Sequence, residues 1–186
     1  VNPMIKITNI VALLLLAALS GIGALTALRL IDPAPSQARD LKHGFASVAK
    51  FFPQAKTALA RFEEELFAAL TPDSEREDAL IFDDQYISTG GQLYELIAGH
   101  DRVVIDIRPL AFAKSGYPQA LTCHPYDLCT ALVARAAGVV VRLAGQPELA
   151  VPFDTTTAVN WIAYANTDLA DTIQPVVERL LQKHFL

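Results

Sequence analysis

Two kinds of run alternate along this chain, and their alternation limits the fold more than any other feature. RVVIDIRP, residues 102 to 109, is β-branched at alternating positions and reads as a strand ended by Pro109. DLCTALVARAAG, from Asp127 to Gly138, reads as a helix whose C-terminal stop is Gly138. VVVRL follows at once as a buried strand, and Gly145-Gln146-Pro147 then turns the chain. Strands that alternate with helices predict an α/β domain, a mixed or mostly parallel layered sheet flanked by helices.

The remaining elements fit that frame. FFPQAKTALARFEEELFAALTPD predicts a helix with Pro53 in its first turn and Ala55, Leu59, Phe62, Leu66 and Leu70 on one face. At least two of Glu63, Glu64 and Glu65 are expected to face water on that helix rather than to bind metal. A short strand is expected over 80–83. YISTGGQLYELIAG turns through Gly90-Gly91 into a helix that closes at Gly99. The stretch from Ala111 to Gln119 reads as a loop. VNWIAYAN reads as another strand, and Asn166-Thr167 caps a last helix from Asp168 to Phe185, which Pro175 is expected to kink or interrupt.

Residues 1–31 stand apart from this pattern. Ile10 to Leu28 is a run of 19 residues without a charge, long enough to cross a bilayer as a helix. A membrane anchor, a cleaved signal peptide and a core helix of a truncated protein are the three readings. Lys6 precedes the run and Arg29, Arg39 and Lys42 follow it, a bias toward a cytoplasmic C-terminal side. The expectation is a membrane-associated domain facing the cytoplasm, or a cytoplasmic one if the run results from truncation. Val1 in place of methionine is compatible with an alternative start or a fragment. Residues 32–40, DPAPSQARD, form a polar proline-containing linker, and 41–186 form the domain.

Composition excludes some functions. The net charge is −5, which leaves no basic stripe for phosphate neutralisation, so nucleic acid is not an expected partner. The two cysteines, Cys123 and Cys129, make no disulfide framework. With only His124 close by, they read as ordinary semi-buried thiols rather than zinc ligands.

Asp127 is the residue with the most chemistry to offer. On spacing alone it is a helix N-cap, accepting backbone N–H groups. The alternative is a ligand for a hard divalent cation, since such ions choose carboxylate oxygen. Pro125-Tyr126-Asp127 followed by an apolar helix ending in Ala-Gly resembles the second signature of the inositol monophosphatase superfamily. Ser88, Thr89 and Gly90 before a helix that ends at Ala98-Gly99, and WIAYANTDLADTIQPVV near the end, resemble other parts of that family's C-terminal half. Its members are magnesium-dependent, lithium-sensitive phosphomonoesterases.

The resemblance covers about residues 41 to 186 and implies roles for single residues. Asp127 would be a ligand of the second catalytic magnesium. Ser88, Gly90 and Gly91 would admit the phosphate ester close to the backbone, because glycine lacks the Cβ that blocks such approach. Gln92 would hydrogen-bond a substrate hydroxyl, and His124 and Tyr126 would wall the site. The implied cofactor is Mg2+. The implied partners are a small phosphorylated molecule and either an absent N-terminal half or a second copy of the chain.

Three departures qualify what the resemblance implies. The helix after Ser88 is about one turn shorter than usual in the family. Ala120 stands where many members place a substrate-binding Glu, so inositol specificity does not carry over. The Asp-Pro-Ile/Leu-Asp-Gly-Thr motif that binds most of the metal is not in the sequence, and Ile31-Asp32-Pro33-Ala34 shares only a dipeptide with it. A magnesium ion on one carboxylate is weakly held, so this chain alone is expected to be a poor phosphatase or none. A non-catalytic module is the other reading, docking through an apolar surface that would otherwise pack on the missing half.

Overall fold

The computed structural model describes residues 36–42, 44–71, 81–83, 88–117, 122–146, 148–152 and 154–186. The uncharged run at 10–28 and the Ala120 position lie outside them. Among the described residues no helix is long and apolar enough to cross a membrane.

The chain alternates as its pattern predicts. β1 (Gly44–Val48) leads to α1 (Pro53–Leu70), β2 (Ile81–Asp83), α2 (Thr89–Ala98) and β3 (Asp101–Asp106). Next come α3 (Arg108–Ser115), a 3-10 segment (Pro125–Thr130) and α4 (Ala131–Ala136). β4 (Val140–Leu143), β5 (Trp161–Tyr164) and α5 (Thr167–His184) complete the domain. The sheet order is β2-β1-β3-β5-β4. β1 pairs in parallel with β2 and β3, whereas β5 pairs antiparallel with β3 and β4. The result is a mixed α/β sheet flanked by helices.

This order creates a switch point. From β1 the chain passes through α1 to β2 on one side. From β2 it passes through α2 back across β1 to β3 on the other. Right-handed crossovers running in opposite directions put their helices on opposite faces of the sheet. Helix α1 accordingly packs with α5 and α3, while α2 packs with the 3-10 segment and α4. The two connections part beyond the carboxyl ends of the neighbouring strands β1 and β2, where open α/β sheets form their ligand crevices.

The core explains why the strands stay flat against both layers. All four residues of β5 are buried, and Trp161, Tyr164, Phe62 and Phe112 are its largest enclosed side chains. The buried Tyr164 hydroxyl donates to Gln174 Oε1 at 2.6 Å, and Gln174 Nε2 donates to Glu178 at 2.7 Å. An orphaned hydroxyl at that depth costs about 1–3 kcal/mol, so the pair fixes α5 over the sheet. Asn166 caps α5 by accepting from the Leu169 N–H at 2.8 Å. Its amide also donates to the carbonyls of Ser36 and Ala38, tying down residues 36–38.

Several local expectations need correction. The strand expected over 80–83 spans Ile81–Asp83. The strand before Pro109 ends earlier, at Asp106, and the expected loop from Ala111 contains the second half of α3. Pro109 sits in the first turn of α3, where its missing N–H costs nothing. Arg108, Ala111 and Phe112 form its buried face, and Gly116 ends it at φ 70°. Gly90 and Gly91 belong to the first turn of α2 rather than to a turn before it.

The run from Asp127 to Gly138 is split into 3-10 and α portions. Strand β4 is at the sheet edge and buried only at alternate residues. Pro175 does not interrupt α5. It is exposed, so the Asp171 carbonyl that it leaves unbonded faces water. Of the three glutamates on α1, only Glu64 is fully exposed. Glu63 pairs with Lys50 at 2.5 Å, and Glu65 with Lys183 at 2.7 Å and His184 at 3.0 Å.

Candidate functional site

A cleft of about 580 Å3 opens at the switch point. Phe51 and Phe52 enter it from the turn after β1, and Arg108 from the start of α3 after β3. Ser88, Thr89 and Gly90 come from the start of α2. The fourth wall is the run into the 3-10 segment, with Cys123, His124, Tyr126 and Asp127.

The start of α2 is ordered by its own cap. Ser88 Oγ accepts from the Gly91 N–H at 3.0 Å, and the Ser88 carbonyl accepts from Gln92 at 3.0 Å. The N–H groups of Thr89 and Gly90 make no intrahelical bond, as at any helix start, and both residues line the cleft. A Cβ on Gly90 would come no closer than 3.8 Å to Thr130, an ordinary contact. Packing of the described residues therefore does not demand glycine there. Gly91 and Gln92 do not line the cleft. Gln92 is buried at 2% exposure with its Nε2 unpartnered.

Asp127 is the third residue of the 3-10 segment rather than an N-cap. Its Oδ2 reaches back to accept the His124 N–H at 2.9 Å, and the His124 Nδ1 lies 3.7 Å away. The Asp127 side chain is 30% exposed and faces the cleft. The His124 and Tyr126 rings stack at 5.7 Å between centroids and 5°.

Among the described residues, Asp106 and Asp154 also stand at this end of the domain, and both are occupied. Asp106 is fully buried. Its Oδ1 accepts from Arg108 Nε at 2.7 Å and its Oδ2 from Arg108 Nη2 at 2.6 Å. The same guanidinium lies 5.0 Å from the centre of the Phe51 ring. Asp154 accepts from the Thr157 hydroxyl at 2.6 Å and from the N–H groups of Thr157 and Thr156. Those bonds, the Thr157 hydroxyl first, hold its carboxyl below the usual range. A magnesium ion needs several oxygens around it. Among the described residues no three His, Cys, Asp or Glu side chains converge to hold a metal. These residues do not fit Mg2+ by themselves.

Cys123 lies beneath the cleft. Burial pushes its thiol from the ordinary 9.0 up to about 12. The charges of Asp106 and Asp127 push the same way, against the hydrogen bond from Thr89 and the charge of Arg108. Thr89 Oγ1 donates to its sulfur at 3.7 Å. Because the folded value lies above the unfolded one, the stability it contributes is whole below pH 9.0 and is lost as pH rises from there through about 12. Cys129 is exposed. An aromatic disulfide reagent at pH 8 is therefore expected to titrate one thiol in the folded chain and both in denaturant. Two rapidly reacting thiols in the folded chain would contradict the burial of Cys123.

The cleft unites Ser88, Gly90, His124, Tyr126 and Asp127, five of the residues that the family resemblance singles out. Phe51, Phe52 and Arg108 were not foreseen as site residues. Each stands just past the carboxyl end of a parallel strand, and that position was the signal that could have found them.

No family model matches this chain, and no curated protein does. Among solved structures it is similar to a hypothetical protein from Pyrococcus horikoshii described as having similarities for inositol-1 monophosphatase. The identity is 19% and the TM-score 0.43, over 75% of this chain. The match spans 44% of that protein's length.

Proposed function

We propose that the domain is the C-terminal, phosphoester-contacting part of a metal-dependent phosphatase of the inositol monophosphatase type. Its substrate would be a sugar, polyol or nucleotide phosphomonoester. One observation carries this: Asp127 and the Ser88–Gly90 start of α2, far apart in sequence, line one cleft at the switch point of the sheet. A helix start offers N–H groups and a positive dipole end to a phosphate. Asp127 offers a single oxygen-donor group to Mg2+, and the other metal ligands would come from outside the described residues.

Phosphate release from a panel of esters with Mg2+ is expected at background for the chain alone, for wild type and Asp127→Asn alike. The same esters are expected to shift the amide resonances of Thr89 and Gly90. Magnesium should tighten that binding in wild type, with the gain lost in Asp127→Asn. Equal, metal-independent hydrolysis by both proteins, or ester binding that leaves those amides unmoved, would count against the proposal.

A second reading, a non-catalytic docking module, is favoured by the apolar face of α2 and α4. Leu132 is 76% exposed, Val133 55% and Tyr94 52%. Exposed large apolar side chains are what such a docking module would present to a partner. The absent half and a second copy are its candidate occupants.

A further inference from the structure

We infer that the cleft prefers phosphoesters whose alcohol part carries a flat aromatic ring over simple polyol phosphates, an inference that rests on the phosphoester reading of the same cleft. Several polar groups of its walls already have partners. Ser88 Oγ is engaged by Gly91 and the Thr89 hydroxyl by Cys123. Arg108 clasps Asp106, and Asp127 accepts from the backbone of His124. A polyol is held by directional hydrogen bonds to its hydroxyls. Where a polyol hydroxyl meets one of these engaged groups, its bond displaces one already made, for little net gain.

The rings are not spent in this way. Tyr126 is 55% exposed and lies parallel to His124, which supports it from one side. The pair is a flat platform beside Asp127 and within the same cleft as the start of α2. Phe51 adds a second aromatic surface, with the Arg108 guanidinium over its ring. Stacked rings attract a planar π-system through offset or edge contacts that a puckered polyol cannot make. An aryl or heteroaryl phosphate can therefore lie against Tyr126 while its phosphate meets the α2 N–H groups.

The test titrates phenyl phosphate and glycerol phosphate into the full chain with Mg2+, following the Thr89 and Gly90 amides. Wild type is compared with Tyr126→Ala and Tyr126→Phe; residue 126 is exposed, so neither change threatens the fold. Phenyl phosphate is expected to bind wild type roughly tenfold more tightly than glycerol phosphate. Tyr126→Ala should remove most of that advantage and leave glycerol phosphate unchanged, and Tyr126→Phe should retain it. Equal or tighter binding of glycerol phosphate to wild type, or an equal loss for both esters in Tyr126→Ala, overturns the aromatic assignment while the phosphoester reading stands. If neither ester shifts the two amides, the underlying reading fails and the assignment with it.

Discussion

Asp106→Ala is expected to lower the unfolding free energy by about 3–5 kcal/mol, the cost of taking one carboxylate out of a buried ion pair. Asp106 is fully buried, and Arg108 keeps only 9% of its side chain exposed. Both carboxylate oxygens hold the guanidinium, in a geometry that pairs two planar groups edge to edge. Without Asp106 the Arg108 cation stays enclosed at the start of α3 and loses both of the bonds that this carboxylate accepts. Asp106→Leu combined with Arg108→Met is expected to recover most of the loss, because removing both charges also removes their desolvation cost. Urea unfolding of the three proteins measures this. A loss below about 1 kcal/mol in Asp106→Ala would mean that the pair is solvated rather than buried.

Phe62→Ala is expected to cost a similar amount, about 3–5 kcal/mol. Phe62 is 0% exposed in the middle of α1. Its ring meets Phe185 at 5.8 Å and His184 at 6.4 Å, so one side chain joins α1 to the end of α5. Truncation leaves a cavity that the two helices can close only by shifting the sheet beneath them. Domains of this size are stable by about 5–15 kcal/mol, so the variant would lose a large share of the total. Phe62→Leu keeps most of the volume and should cost clearly less. Thermal and urea midpoints distinguish the two, and an equal small loss in both would place Phe62 outside the core.

Much of the architecture was legible in the chain. The face Ala55, Leu59, Phe62 and Leu66 of α1 is buried, as helical spacing requires. Two helix ends were equally plain: Asn166 begins α5, and Gly99 ends α2 at φ 78°, a conformation that glycine adopts without strain, whereas Ser88 and not the Gly90-Gly91 pair begins α2. Helix α3 was not legible, because Pro109 reads equally as the end of a strand and as the first turn of a helix. Only the packing of Ala111 and Phe112 against the core separates those outcomes. The 3-10 start of the Asp127 segment was hidden for a related reason. Residue types at i+3 and i+4 look alike in sequence, and the backbone of His124 decides which carboxylate contact forms.

What the sequence determined by itself was therefore the class: alternating apolar periods require sheet and helix in layers, and capping residues mark where helices begin. The tertiary structure alone decided the site. Residues 51, 88, 108 and 127 meet because β1 lies between β2 and β3 and the connections leaving β1 and β2 take opposite faces, a fact of strand order rather than of any local run. It also showed that Asp106 is closed by Arg108 while Asp127 still faces the cleft. A carboxylate's availability depends on which donors reach it in space and how far water has been removed, and composition and spacing record neither.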